Sequence, residues 1–97
     1  MEIIWSPRAE SEFIKDIDYL GENYGRKTAT RYMEQLTDAI EKISKIDMIA
    51  YQLVDAEKDI RKYKVNANKN LYYRLTENKL EIIAFYSDKQ NPDTLTF

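Results

Sequence analysis

Apolar residues recur at the interval of a helix along the first half of the chain and at the interval of a strand along much of the second. Ala9, Phe13, Ile17, Leu20 and Tyr24 follow one another at steps of 4, 4, 3 and 4, the one-sided stripe of an amphipathic helix. Ser6 and Pro7 stand just ahead of it, Ser offering a capping oxygen and Pro tolerating the first helical position, where its missing N–H costs nothing. Gly25 is placed to end this helix in a left-handed conformation. A second stripe runs through Ala29, Tyr32/Met33, Leu36, Ile40 and Ile43. Two helices separated by a few residues around Gly25 predict an antiparallel hairpin, each stripe needing cover.

The period changes after Ile46. Residues 2–5 ahead of the helices have strand character, and residues 51–54 are a possible further strand followed by a charged connection at 55–59. Residues 60–65 alternate, with Arg61, Tyr63 and Val65 on one face and Ile60, Lys62 and Lys64 on the other. Residues 69–76 contain Leu71-Tyr72-Tyr73-Arg74-Leu75, rich in strand formers, and Glu77-Asn78-Lys79 is a turn. Residues 80–86 are apolar on both sides, which predicts a central strand covered by the helices on one face and by something else on the other. The tail, 87–97, carries the loop signal Asn91-Pro92. The order is therefore β-α-α-β-β-β, an α+β fold in which a helical hairpin packs on a small, mostly antiparallel sheet.

The 97 residues fit one domain spanning 1–97. The chain has no Cys and no His, which excludes disulfides, thiolate zinc sites, cysteine nucleophiles, Ser-His triads and imidazole metal ligands. No cofactor or metal is expected. No apolar run is long enough to cross a membrane and no signal peptide precedes the fold, so a cytoplasmic location is expected. The net charge of -2 hides an asymmetry: residues 1–59 sum to -5 and residues 60–97 to +3. Arg61, Lys62, Lys64, Lys69 and Arg74 fall in one stretch without an acid. Such a local positive field can hold an acidic peptide or a phosphate backbone. The plain alternative is a strand with a basic exposed face. The acids of the first helix, Glu10, Glu12, Asp16, Asp18 and Glu22, read as a solvated face. Arg74 suits an ion pair with Glu81 across a hairpin as readily as a binding role.

The segments Ile4-Trp5-Ser6-Pro7-Arg8-Ala9, Tyr19-Leu20, Tyr24-Gly25, Ala29 with Tyr32, Ile60-Arg61, Leu71-Tyr72-Tyr73-Arg74 and Asp88-Lys89-Gln90-Asn91-Pro92 come in an order that resembles the RelE/ParE superfamily of toxins from type II toxin–antitoxin modules. The helical hairpin looks more like the ParE branch. The resemblance implies a toxin that inhibits growth, a plasmid-stabilisation type of function, and a cognate antitoxin as partner. It also implies one of two targets. ParE-like members inhibit DNA gyrase without hydrolysis; RelE-like members cleave mRNA on the ribosome.

Metal-free RNA cleavage needs a base, positive charge for the phosphorane and an acid. The resemblance makes Arg61, Lys62, Lys64, Lys69 and Lys89 the candidate catalytic residues if the chain is a nuclease, and Arg61, Lys62, Lys64, Tyr73, Arg74 and Lys89 the candidate contacts for target or antitoxin. However, the family's arginine ahead of the third strand falls on Asn70. A neutral amide does not replace a guanidinium that clamps phosphate in two directions. The residues thus favour a ParE-like binder, with the nuclease and a non-toxic interaction module as alternatives.

Overall fold

The computed structural model describes residues 2–45, 52–76 and 78–87. Strand β1 (Glu2–Trp5) leads into helix α1 (Pro7–Tyr24) and helix α2 (Arg26–Lys45), followed by β2 (Gln52–Asp55), β3 (Ile60–Asn66), β4 (Lys69–Thr76) and β5 (Lys79–Tyr86). The sheet order is β1-β5-β4-β3-β2. Every neighbouring pair is antiparallel except β1, which runs parallel to β5 with Glu2 opposite Lys79 and Trp5 opposite Ile82. The α+β reading holds, and the possible strand after the hairpin is real, so the sheet has five strands. The expected central strand, β5, lies between β1 and β4.

Local chemistry fixes the helical hairpin. Ser6 has extended backbone angles, and its Oγ accepts the Ala9 N–H at 2.9 Å, one of the orphan donors of the first turn. At the far end a single residue, Gly25, separates α1 from α2. Its φ of 95° and ψ of 169° lie outside the left-handed helical region expected from the sequence, in a region open essentially to glycine alone.

The helices cover one face of the sheet. Ala9, Leu36 and Ile43 meet Leu71, Tyr73 and Leu75 of β4 and Leu80, Ile82 and Phe85 of β5. Trp5, Phe13, Tyr32 and Phe85 form a chain of tilted ring contacts with centroids 5.2 to 5.7 Å apart, which makes Trp5 the core anchor that joins β1 to the hairpin. Tyr24, which continues the first stripe in sequence, is 64% exposed. A second cluster, Ile60, Tyr72, Ala84 and Tyr86 with Ile83 packed on it, occupies the other face. β5 is therefore apolar on both sides because both sides are buried.

Candidate functional site

Strand alternation distributes the basic candidates over two faces. Lys62 pairs with Tyr72, and Lys64 with Asn70, which in turn sits opposite Tyr86 of β5. Together with Ile60 these residues form the face turned away from the helices. Arg61, one position out of phase, shares the helix-side face with Tyr63 and Val65, which pack on the main core. Its guanidinium lies 3.6 Å from Asp59, with the side chain 16% exposed. Arg61 and Lys64 therefore do not form one surface, and a partner gripping β3 from either side meets only part of the basic strand.

Three other candidates are committed elsewhere. Tyr73 is fully buried in the main core, so its ring offers nothing to a partner. Arg74 donates from Nη2 and Nε to the same Glu81 carboxylate oxygen at 2.7 and 3.2 Å, and from Nη1 to the Lys58 carbonyl at 3.4 Å; the fork that would hold a phosphate closes instead on the neighbouring strand. Lys69 turns toward the hairpin, its Nζ 3.2 Å from Asp16 Oδ2, and does not stand in for Asn70. Asn70 itself is 3% exposed in β4. Lys89 and the tail motif lie outside the described residues.

Reading α1 as a solvated acidic face missed two carboxylates. Glu12 accepts the Phe85 N–H of β5 at 3.0 Å, and Asp16 accepts the Tyr32 hydroxyl at 3.0 Å beside Lys69. Burial, then the charge of Asp16 beside it, push the Tyr32 phenol well above its ordinary range, so Tyr32 stays a donor. The available signal was position: Glu12 and Asp16 each precede a member of the apolar stripe, Phe13 and Ile17, and so border the buried side of the helix. Above this network opens a groove of about 630 Å³ between the hairpin and the β3–β4 turn, bordered by Tyr19, Leu20, Tyr24, Tyr32, Asn68 and Lys69 among others. The rings of Tyr19 and Tyr24 meet edge to face at 6.1 Å. The neighbouring Tyr24 phenol raises the Tyr19 phenol above its usual range. No group of three or more potential metal ligands occurs among the described residues.

No protein-family model and no curated protein sequence matches the chain. Solved structures do. A chain of the chromosomal ParDE TA system from P. aeruginosa superposes with a TM-score of 0.71 at 10% identity, covering 90% of this chain and 95% of that one. The YoeB/ParE toxin from Agrobacterium tumefaciens gives 0.62 at 14% identity over 90% and 98%. This is the fold of the RelE/ParE toxins. A YoeB–YefM toxin-antitoxin heterotetramer from Staphylococcus aureus contributes a third match, 0.58 at 15% identity over 87% and 92%. On this RelE/ParE fold, the sheet face away from the helices carries Lys62, Lys64, Tyr72 and Tyr86 around a buried amide, Asn70. The two arginines of the neighbouring strands are held by Asp59 and Glu81. No helix among the described residues is long and apolar enough to cross a membrane.

Proposed function

We propose that this protein is the toxin of a type II toxin–antitoxin module, a ParE-like binder that inhibits DNA gyrase in the cytoplasm and is silenced by a cognate antitoxin. The observation that carries this reading is the chemistry of the sheet face turned away from the helices. It holds two ammonium groups, Lys62 and Lys64, and the position where a clamping arginine is expected is Asn70. The nearest fork, Arg74, donates twice to Glu81. Such a face attracts an anionic surface through its charge but lacks the planar donors that hold a phosphorane during cleavage. The higher TM-score with the ParDE chain, 0.71 against 0.58 for the YoeB–YefM chain, supports the same branch.

Two assays with the purified protein test the reading. Gyrase supercoiling should be inhibited at micromolar protein or below, and mRNA on translating ribosomes should stay intact. Discrete transcript cleavage would replace the reading with a ribosome-dependent endonuclease working without arginine. Normal growth on expression without antitoxin would leave only an interaction module.

A further inference from the structure

Alternation along β5 breaks at Ile83. Tyr73 of β4 sits opposite Ile82 and Tyr72 sits opposite Ala84, so Ile83 is an extra residue, a β-bulge. Ahead of it, Leu80 and Ile82 enter the main core on the helix side. Unbroken alternation would send Ala84 and Tyr86 to that same face. The bulge sends them to the other face, with Ile60 and Tyr72, and brings Phe85 into the main core instead. Two cross-strand rows result, Lys64–Asn70–Tyr86 and Lys62–Tyr72–Ala84. Each lysine of that face therefore ends a row that begins on β5 just after the bulge.

On the β1 side no strand flanks this stretch of β5. β1 pairs with β5 only as far as Trp5 opposite Ile82, and the chain then turns into α1. Two side chains at the start of α1 take the place of the missing strand. Ser6, whose own N–H donates to the Ile82 carbonyl at 2.9 Å, donates from Oγ to the Ile83 carbonyl at 2.7 Å. Glu12 accepts the Phe85 N–H through Oε1 at 3.0 Å. Phe85 is 2% exposed, and a buried amide left without an acceptor is costly. Undoing the bulge would turn this N–H toward β4 and the Phe85 ring out of the main core, so the Glu12 bond is compatible with the bulged register alone. Bulges commonly serve to re-aim a side chain beside a site.

We infer that Glu12 is a positioning residue for the sheet face that carries Lys62 and Lys64, holding β5 past its bulge in the register that backs both lysines; its bearing on toxicity rests on the toxin reading. The second carboxylate oxygen, Oε2, lies 3.4 Å from Arg8 Nε, one turn earlier in α1. The charge of Glu12 and its bond to β5 thus have different partners and can be removed separately.

The test follows amide exchange of Phe85 by NMR in the purified protein and, in cells, the protein level needed to arrest growth. Glu12→Ala should speed Phe85 exchange about ten-fold or more, the loss of one charge-assisted bond. It should also raise the arresting level several-fold, because apparent affinity for a target falls with the fraction of molecules that keep the competent register. Glu12→Gln retains a carbonyl oxygen for the N–H and should leave both measurements near wild type. Arg8→Ala, which leaves Glu12 in place, should change neither. Tyr32→Phe loses a bond between the two helices and controls for lost stability; it should arrest growth as the wild type does. Glu12→Ala with wild-type Phe85 exchange overturns the proposal, and so does full arrest at wild-type levels by this variant. Equal losses in Glu12→Gln and Glu12→Ala overturn it too, since the charge and not the bond would then matter. If the wild type itself does not arrest growth, the toxin reading fails, and Phe85 exchange in Glu12→Ala alone decides whether Glu12 holds the register.

Discussion

Ser6 serves two elements with one oxygen. Its Oγ accepts the Ala9 N–H at the start of α1 and donates to the Ile83 carbonyl of β5 at 2.7 Å. Ser6→Ala should cost about 1–2 kcal/mol, the loss of a helix cap together with a half-buried acceptor left unpaired, measurable by urea denaturation. Tyr32 gives a pH signature. Its folded pKa lies above the unfolded value of about 10, so the folded state holds the proton more tightly. That stability is complete below the unfolded pKa and is lost as pH rises from about 10 towards the folded pKa. Tyr32→Phe should lose about 1 kcal/mol at neutral pH, from the missing bond to Asp16, and should show less alkaline destabilisation than the wild type; melting curves between pH 7 and 11 check both. At this scale the sequence was partly legible. Ser6 as the cap and Trp5 as a core anchor were read from their positions, and the Arg74–Glu81 pair was one of two readings left open for Arg74. Asp16 and Lys69 do not, because 53 residues separate them and only the packing of α1 against the β3–β4 turn brings them together.

Among the elements, the hairpin was the most legible, since apolar steps of three and four persist over both helices and glycine stands between them. The detail that escaped is the backbone at Gly25: a one-residue link between helices needs a φ, ψ pair beyond the usual glycine cap. A Cβ at Gly25 meets nothing within 4 Å, so any penalty there is backbone strain alone. Gly25→Ala should cost about 1–3 kcal/mol. Gly21, inside α1 and equally open, should respond with the opposite sign, Gly21→Ala gaining about 0.5–1 kcal/mol of helix propensity. Comparing the two melting temperatures separates conformational strain from packing. Strand β2 was harder to place, because Leu53 and Val54, neighbours that alternate across the strand, are both exposed at the sheet edge. Its pattern therefore has no buried side to read. The double apolar pattern of β5 was informative for the opposite reason, since each face meets its own cluster.

For the whole molecule, the sheet separates two clusters: its helix-covered face holds the main core, and its other face holds Lys62 and Lys64 beside a smaller buried cluster. Reversing Lys62 and Lys64 together should abolish growth arrest while the protein still unfolds in one cooperative transition; a growth assay beside a melting curve decides this. The target choice was not legible in composition, because a count of cations does not tell which face of the sheet each one lies on. The parallel pairing of β1 with β5 has a further consequence. It joins residues 2–5 to residues 79–82, the greatest separation in the sheet, and closing so long a loop is slow compared with local pairing. A chain emerging from the ribosome can form its helices early, but its first strand waits, unpaired, until the last strand has been translated.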